Sequence, residues 1–495
     1  MYLGIDVGTS EVKVALIDGA RLVAIGRGAL EISRPHPLWS EQDPAHWVRA
    51  TEEAIEQVRA SHAAELAAVA GIGLSGQMHG AVLLDARDRV LRPAILWNDT
   101  RSAAECVVLE ARVPEARRLT GNMAMPGFTA PKLLWVAAHE PAVFRQLAKV
   151  VLPKDFVRLW LTGEHVSDMS DAAGTLWLDV QRRDWCDAML AATGLDRSHM
   201  PRLVEGSAAS GTLRGELARA WGMPGGVVVA GGGGDNAASA VGLGVIARGH
   251  GFLSLGTSGV FFVADDGYRP APDRGVHTFC HALPGMWHQM AVMLSAASCV
   301  RWVTHLVGAP DEATLIGEVE ALGPAARARA PLFLPYLSGE RTPHNDAFAR
   351  GVWFGLGHDT DRAALAYSVL EGVAFALADG HAAVRAAGGA ARSVALTGGG
   401  SRSVFWARLI ASTLDLPLTL VEGGEVGAAL GAARLGQLAA EPRAAIAGVC
   451  PPPPVTAMAE PVAAWQPELL ARLARFRALY PSLRPLFQPH AEATS

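Results

Sequence analysis

Apolar positions in this chain fall into short β-branched runs at some places and into helical patterns at others. At the start, residues 2–7 and 12–18 show the apolar pattern of two strands, and the polar run Gly8-Thr9-Ser10 separates them. Asp6 stands just ahead of that run. The pattern predicts a β-hairpin whose tip carries Gly, Thr and Ser.

The hairpin pattern returns 248 positions later in the chain. At that fixed offset, Gly8, Thr9, Ser10, Val12, Asp18 and Gly19 match Gly256, Thr257, Ser258, Val260, Asp266 and Gly267. Similarity at a fixed offset is a signature of internal duplication. The repeat predicts two related domains, residues 1–245 and 246–495, each opening with the same hairpin.

A different motif follows the buried strand predicted at residues 227–230. Four glycines lead into Asp235 and Asn236, and a small-residue stretch with a helical pattern follows. An acid at the end of a strand, cleared of bulk by glycine, lies where an α/β sheet places its chemistry. The alternative is that Asp235 only caps the following helix, and the sequence leaves both interpretations open.

The second half contains a related motif without an acid. A predicted strand from residue 394 runs into Gly398, Gly399 and Gly400, and a helix is expected at 404–414. A glycine platform that lacks a carboxylate suits a nucleobase or ribose lying against the backbone. Another single helix is predicted at 364–381.

Two further stretches could bind a small polyol. Gln77, Met78 and His79 occupy a glycine-flanked turn between apolar runs, and the alternative is that they face solvent. Trp97 could pack on the carbon face of a sugar, whereas the nearby Asp99 and Arg101 are expected to pair with each other.

Some motifs are rejected on the pattern that surrounds them. The Gly-x-Gly-x-x-Gly run at 71–76 is followed by a predicted strand instead of the helix that a dinucleotide site requires. Asp43 followed by Pro44 is typical of a helix start. Between residues 105 and 225 no catalytic constellation is predicted. His277, Cys280, His281 and His288 have spacings that fit no structural zinc site, so packing or solvent exposure is favoured for them.

The composition excludes several classes of protein. Half of the 495 residues are hydrophobic, and at this length at least two domains are expected. The formal net charge of −5 argues against nucleic acid as the main partner. No uncharged apolar run approaches the ~18 residues of a membrane span. Five cysteines without a CxxC pair, together with no basic signal region, predict a reduced cytoplasmic protein.

The paired hairpin tips suggest a ligand. Two Gly-Thr-Ser turns that faced each other would offer backbone N–H groups and hydroxyls to a polyphosphate, and Lys13 is expected to join them. Asp6 would then hold a divalent cation, because hard cations take carboxylate and phosphate oxygens together. No Gly-Lys dipeptide is present, which excludes a Walker A loop.

Taken together and in order, these motifs resemble the FGGY family of sugar kinases, within the actin, hexokinase and Hsp70 superfamily. The resemblance covers essentially the whole chain and rests on residues 4–10, 37–44, 76–80, 233–236, 255–259 and 397–402. It implies an α/β fold of two ribonuclease-H-like domains flanking a catalytic cleft. One departure is that four glycines, not three, precede the acid.

The resemblance also implies an activity and roles for residues. Asp235 corresponds to the catalytic base, Asp6 to an acid associated with Mg²⁺ and activity, and Met78 and His79 to sugar-binding positions. The implied reaction is transfer of the γ-phosphoryl group of ATP to D-xylulose, with Gln77, Trp97 and Asn236 also expected at the sugar. Asp6 and Asp235 are the expected Mg²⁺ ligands, and a homodimer is expected.

Two alternatives to this activity remain. The chain could be an FGGY kinase for another polyol or ketose, such as ribulose, gluconate or glycerol. It could also be an actin- or Hsp70-like ATPase, which would need no acid at Asp235 and would ignore small sugars.

Overall fold

Two mixed seven-stranded sheets organise the protein, whose computed structural model describes residues 1–487 apart from the side chain of Glu425. The first sheet has the strands Ala209–Thr212, Val228–Ala230, Gly71–Gly76, Tyr2–Val7, Glu11–Asp18 and Arg21–Ala29 in this spatial order, with Gly233–Gly234 also paired to Gly71–Gly76. The second has His277–Cys280, Trp287–Met293, Gly259–Asp265, His250–Leu255, Ser393–Thr397, Leu418–Val421 and Val455–Ala459.

Small two-stranded sheets and helices complete the described part. The strand pairs are Glu41–Gln42 with Ala94–Ile95, Val82–Leu84 with Lys149–Val151, Val166–Asp168 with Arg202–Val204, Leu178–Asp179 with Asp184–Trp185, and Leu332–Leu334 with Val352–Phe354. The α-helices of the first half are Pro44–Leu66, Ala103–Arg112, Ala116–Thr120, Thr129–His139, Pro141–Phe144, Pro153–Thr162, Met169–Ala173, Asp187–Ala192, Gly215–Trp221 and Asp235–Gly242. Those of the second are Ala297–Leu306, Glu312–Ala321, Pro324–Arg329, Arg362–Ala386, Val404–Leu414, Gly427–Ala440, Ile446–Val449 and Gln466–Phe487. Four 3₁₀ turns lie at Arg197–His199, Pro272–Arg274, Gly399–Arg402 and Gly424–Val426.

The two sheets repeat one arrangement around their central strands. Tyr2–Val7 pairs antiparallel with the next strand of its hairpin and parallel with Gly71–Gly76. His250–Leu255 likewise pairs antiparallel with Gly259–Asp265 and parallel with Ser393–Thr397. Both predicted hairpins and the α/β class are therefore confirmed, and the matched topology agrees with the internal repeat.

One helix of the second half packs on the sheet of the first half. Gly427–Ala440 lies so close to the strand Gly71–Gly76 that a Cβ added to Gly73 would lie 1.8 Å from the carbonyl oxygen of Ala432. A Cβ at Gly431 would lie 1.7 Å from the carbonyl oxygen of Ala238. The halves interlock through these contacts. The limits 1–245 and 246–495 stay a prediction, and residues 488–495 lie outside the described residues.

The helix Arg362–Ala386 forms the centre of the second core. By length and composition alone it could cross a membrane, yet 83% of its apolar window is buried inside the protein. Its buried Glu371 accepts two hydrogen bonds from Arg472, at 2.7 and 2.6 Å, so the acid inside this core is paired. The helix contains the range predicted from the sequence and extends beyond it at both ends.

Local predictions in the first half also agree with the structure. Asp43 caps the helix Pro44–Leu66 by accepting a hydrogen bond from the Ala45 N–H at 2.9 Å. Residues 71–76 form a buried strand and no dinucleotide turn, which confirms that the fingerprint match is spurious. Arg101 pairs with Asp99 at 2.6 Å, as expected, and also lies over the Trp39 ring at 3.6 Å.

Candidate active site

A cavity of about 260 Å³ is lined by residues of both halves and is called the cleft cavity below. The first half contributes Met78, His79, Trp97, Asp235 and Asn236, all of which the sequence predicts at a sugar. The second half contributes Ser258, His277 and Arg341, among others. Residues far apart in sequence therefore meet here, and one of them is the acid at the end of the glycine run.

Asp235 begins a helix without capping it. The helix runs from Asp235 to Gly242, and Gly234 occupies the N-cap position. Asp235 Oδ1 accepts hydrogen bonds from the backbone N–H of Asn236 at 2.7 Å and from its side-chain amide at 3.0 Å. Oδ2 makes no hydrogen bond to any described residue. The capping interpretation is therefore wrong, and one carboxylate oxygen remains available in the cleft cavity.

Asp6 and Asp235 influence each other electrostatically. Burial and then the negative charge of Asp6 raise the pKa of the Asp235 carboxyl to about 6. Burial raises the pKa of Asp6 to about 6 as well, although the positive charge of Lys13 acts in the opposite direction. Oδ1 of Asp6 is buried and has no hydrogen-bond partner in the described part of the chain. Two carboxyl groups that interact in this way, one of them with an oxygen that has no hydrogen-bond partner, could bind a cation or exchange a proton.

The turn Gly8-Thr9-Ser10 contacts Trp97, a residue that lines the cleft cavity. The indole N–H of Trp97 donates to Thr9 Oγ1 at 3.0 Å. Gln77 holds the turn from behind, because its amide donates to the Gly8 carbonyl at 3.2 Å and its Oε1 accepts from Thr9 at 3.3 Å. Gln77 is buried and does not line the cleft cavity, so its contacts differ from the expected contact with sugar.

Lys13 lies on the strand that follows this turn. It pairs with Asp6 in the register of the hairpin, and its ammonium group lies 3.2 Å from a carboxylate oxygen of Glu11. Its charge therefore acts on Asp6 from the neighbouring strand, within the group of residues predicted to meet phosphates.

The second hairpin turn joins two cavities. Gly256 and Thr257 line a larger cavity of about 680 Å³, called the glycine-lined cavity, together with Gly399 and Gly400. The next residue, Ser258, lines the cleft cavity. The apolar Val300 and Ile316 line the glycine-lined cavity as well. One short turn therefore contributes residues to both the larger glycine-lined cavity and the smaller cleft cavity.

The glycine platform lies where its strand ends. Gly398 follows the strand Ser393–Thr397 with a φ of +87°, and a Cβ there would lie 2.6 Å from the Leu255 carbonyl oxygen. Only glycine fits this approach. Gly399 and Gly400 then reach the glycine-lined cavity, whereas Gly398 holds the turn behind them.

Two histidines in the cleft cavity are neutral. His79 Nδ1 lies 2.6 Å from the carbonyl oxygen of Gly174, and burial lowers the pKa of His79 to about 3. Nδ1 must carry the proton that this carbonyl accepts, which leaves Nε2 as a hydrogen-bond acceptor. Burial also lowers the pKa of His277 well below its usual value, and its Nδ1 contacts Asn122 Oδ1 at 2.9 Å. Neutral imidazoles of this kind can bind hydroxyl groups.

Arg341 is a lining residue that the sequence analysis missed. Its guanidinium makes no hydrogen bond or ion pair with any described side chain. Burial lowers the pKa of Arg341, and the charge of the adjacent Glu340 acts in the opposite direction. Burial raises the pKa of Glu340 itself to about 8. The positive charge of Arg341 lowers the pKa of both His79 and His277. The cleft cavity thus contains one unpaired cation as well as the Asp235 carboxylate.

No group of three or more His, Cys, Asp or Glu side chains within residues 1–487 is arranged to hold a metal ion. The histidines considered for zinc are packed instead: His281 Nε2 lies 3.1 Å from the Val245 carbonyl oxygen, and His288 stacks on Phe262 with ring centroids 4.3 Å apart. A divalent cation in this protein would need ligands from a substrate in addition to one or two carboxylates.

Family profiles match both halves of the chain. The N-terminal domain of the FGGY family of carbohydrate kinases matches residues 1–242, and the C-terminal domain of the same family matches residues 251–440. The chain belongs to the FGGY family of carbohydrate kinases. This membership confirms the resemblance drawn from the motifs and rejects the alternative of an actin- or Hsp70-like ATPase.

Relatives of this FGGY kinase span nearly its full length. It is 53% identical to the xylulose kinase of Escherichia coli (strain K12), over 98% of this chain and 100% of the relative. It is 51% identical to the xylulose kinase of Klebsiella pneumoniae, with the same coverage. A crystal structure of a "xyloylose kinase" from Brucella ovis superposes with a TM-score of 0.94 at 54% identity, covering 98% of this chain and 99% of that one.

The fold of this FGGY kinase is shared more widely. The crystal structure of xylulose kinase from Rhodospirillum rubrum has a TM-score of 0.90 at 28% identity and covers 98% of this chain and 99% of that one. The prediction of two α/β halves of the actin and hexokinase type is confirmed.

Proposed function

We propose that this kinase transfers the γ-phosphoryl group of ATP to the primary hydroxyl of D-xylulose and forms D-xylulose 5-phosphate. The observation that carries the proposal is Asp235, whose free carboxylate oxygen lies in a cavity lined by both halves. The cleft cavity, at about 260 Å³, is slightly below the ~300 Å³ lower limit of common small-molecule sites, which favours a small sugar. Close relatives named for xylulose support this choice of sugar.

Asp235 acts as the general base in this proposal. A hydroxyl is a weak nucleophile until its proton is being removed, and an aspartate accepts that proton in phosphoryl transfer generally. A pKa of about 6 leaves Asp235 mostly ionised at neutral pH while making it more basic than an exposed aspartate. Asn236 holds the other oxygen, which fixes the orientation of the carboxylate.

The sugar is bound by polar groups at several points around the cavity. His79 Nε2 accepts from a hydroxyl, and Arg341 donates to sugar oxygens. Trp97 and Met78 provide the apolar surface against which the carbon chain packs. Because the guanidinium has no partner among the described residues, a sugar that reaches it gains hydrogen bonds without breaking any of theirs.

ATP occupies the glycine-lined cavity in this proposal. The adenosine lies against Gly399 and Gly400, with Gly398 shaping the turn, and the phosphates extend toward the turn Gly256-Thr257-Ser258. The opposite turn Gly8-Thr9-Ser10 and Lys13 contact the phosphates from the first half. The arrangement fits the position of the second turn between the two cavities.

Mg²⁺ is the proposed cofactor, and the residues present fit it. Asp6 has a buried oxygen without a partner, and Asp235 lies in the same electrostatic field. Hard divalent cations take carboxylate and phosphate oxygens together, so Asp6 would hold the ion with ATP, and Asp235 would lie beside it with its free oxygen directed to the sugar hydroxyl. When bound, Mg²⁺ offsets the charge of the phosphates.

The setting of the enzyme is also part of the proposal. All five cysteines are unpaired, and Cys106, Cys280, Cys299 and Cys450 are buried, which favours a reducing compartment such as the cytoplasm, where ATP is available. A homodimer, and the absence of nucleic-acid and membrane partners, stay predictions.

A coupled assay of ADP release with a panel of sugars tests the function. D-xylulose is expected to raise ATP turnover well above the sugar-free rate, with smaller increases for ribulose, gluconate and glycerol. ADP release that is independent of every sugar would overturn the assignment as a sugar kinase. A larger increase with another member of the panel would replace D-xylulose as the substrate.

A further inference from the structure

Residues 231–234, called the glycine turn below, lead into Asp235. A fully buried cluster of charged side chains lies next to this turn. It is called the ion cluster and consists of Lys154, Arg158, Asp155, Asp168 and Asp171, each no more than 1% exposed. The Lys154 ammonium contacts all three acids, Asp155 at 2.5 Å, Asp168 at 2.8 Å and Asp171 at 3.2 Å. None of these residues lines either cavity.

The ion cluster holds both ends of the glycine turn. Arg158 donates hydrogen bonds to the carbonyl oxygens of Ala230 and Gly231, where the strand ends. At the other end, the N–H of Gly234 donates to the hydroxyl of Ser170 at 3.1 Å. Ser170 in turn donates to Asp168 Oδ2 at 2.5 Å. The residue immediately before Asp235 is therefore connected to the ion cluster by one side chain.

The same segment also holds a residue of the sugar cavity. Ser170 lies in the short helix Met169–Ala173. Gly174, the residue that follows this helix, accepts the hydrogen bond from His79 Nδ1 at 2.6 Å. One short segment thus contacts the turn before the catalytic base through Ser170 and a sugar-binding histidine through Gly174. The two groups are fixed relative to each other by that segment.

The charges of the ion cluster balance only if one acid is neutral. Two cations face three carboxyl groups, and burial raises the pKa of Asp171 well above its usual value. Buried ion pairs of this kind are weak evidence for stability, because removing charges from water costs about as much as their attraction returns. Geometric specificity is a better-supported reason for such an arrangement, and the hydrogen bonds to the glycine turn supply that geometry.

We propose that Ser170 is a positioning residue for phosphoryl transfer, which fixes Gly234 and thereby the direction of the Asp235 carboxylate. The proposal rests on the function assigned above, in which Asp235 removes the hydroxyl proton. Catalytic groups lose rate steeply when they are displaced by about 1 Å, so loss of this contact lowers the rate of the chemical step more than it weakens substrate binding.

The chain offers a matched control for a purely structural role. Ser167 is also buried, and its hydroxyl donates to Asp155 of the same ion cluster at 2.6 Å. Its side chain makes no hydrogen bond to the glycine turn. Ser167→Ala and Ser170→Ala each remove one buried hydroxyl bonded to a cluster carboxylate, but only Ser170→Ala removes the contact with Gly234.

The experiment compares kcat, the KM for D-xylulose and Tm for the wild type and both variants. Ser170→Ala is expected to lower kcat by about 10- to 100-fold with KM changed less than about threefold, whereas Ser167→Ala keeps kcat within about threefold of the wild type at a similar loss of Tm. Ser170→Cys, which keeps a weak acceptor at this position, is expected to give an intermediate kcat and serves if Ser170→Ala does not fold.

Two results would overturn the positioning role of Ser170, and a third would overturn the proposed function. Equal kcat values for the two alanine variants would overturn the positioning role and leave the ion cluster a structural element. A loss that appears in KM alone would overturn it as well. If the wild type itself does not phosphorylate D-xylulose, the proposed function fails, which is a separate outcome seen before any variant is measured.

Discussion

Burial and then the negative charge of Asp6 raise the pKa of Asp235, although Asp6 and Asp235 are 229 positions apart in the chain. One lies at the end of the first strand and the other begins the helix Asp235–Gly242 of the same half. The sheet brings both strand ends to one edge, since the strand Gly71–Gly76 pairs with Tyr2–Val7 on one side and with Gly233–Gly234 on the other. Their electrostatic coupling follows from this topology.

Asp235→Ala tests the general base directly. Removing a general base typically costs about 10²- to 10⁴-fold in rate, and we expect a loss of kcat in this range with binding of ATP retained. Single-turnover phosphorylation and a separate nucleotide-binding titration measure the two properties. Asp18→Ala, which changes an exposed aspartate of the first hairpin, is the control and should remain close to wild type. Near-normal turnover of Asp235→Ala would show that Asp235 is not the general base.

The pH dependence of kcat should show the titration of Asp235. The base must be ionised, so activity is expected to fall as the pH decreases through about 6. Asp6→Asn removes a negative charge that raises the pKa of Asp235, and the acidic limb should therefore move to lower pH. Profiles of kcat against pH at saturating Mg²⁺ and substrate measure the acidic limb of the wild type and of Asp6→Asn. An acidic limb that stays in place in Asp6→Asn would contradict the coupling of the two carboxyls.

Arg341→Gln tests the unpaired cation of the cleft cavity. A hydrogen bond to a charged group contributes about 1.5–3 kcal/mol, so we expect KM for D-xylulose to rise by about 10- to 100-fold while KM for ATP stays unchanged. Arg350→Gln, at an exposed arginine nearby in sequence, is the control. Equal effects on both substrates, or no effect on the sugar, would show that Arg341 does not bind it.

Gly73→Ala tests the packing of the second half on the first sheet. The new Cβ would lie 1.8 Å from the Ala432 carbonyl oxygen, so the backbone of one element must move. Overpacking of this kind costs about 1–3 kcal/mol in the free energy of unfolding, which denaturant titration measures. Gly448→Ala is the matched control, because no atom lies within 4 Å of its added Cβ. Equal stability of the two variants would contradict the tight contact.

Local sequence patterns predicted much of the fold and of the site. Alternating apolar residues around Gly8-Thr9-Ser10 and Gly256-Thr257-Ser258 predicted both hairpins, since a hairpin depends on neighbours in the chain. The glycine run predicted that Asp235 lies at a strand end. These features depend on short stretches, whose patterns are visible in the sequence.

The missed features depend on contacts between distant segments. Lys154 meets Asp168 and Asp171 only because a helix and a short strand fold back on each other, and no spacing within 105–225 indicates this. Arg341 lies in a polar loop whose sequence does not differ from that of a solvent-exposed loop, and only the fold places it in the cleft cavity. Gln77 was expected at the sugar for its polarity, but the Gly8 carbonyl and Thr9 occupy its amide.

The helix Gly427–Ala440 belongs to the second half but packs on the sheet of the first half, which limits how the protein can be divided. Because a helix of the second half covers the sheet of the first half, the two halves are not expected to form two independent proteins. Residues 1–245 expressed alone would leave the glycine face of Gly71–Gly76 open to water, while residues 246–487 alone would carry a helix with no sheet to cover. The two fragments are therefore expected to regain their structure only when they are produced together in one cell.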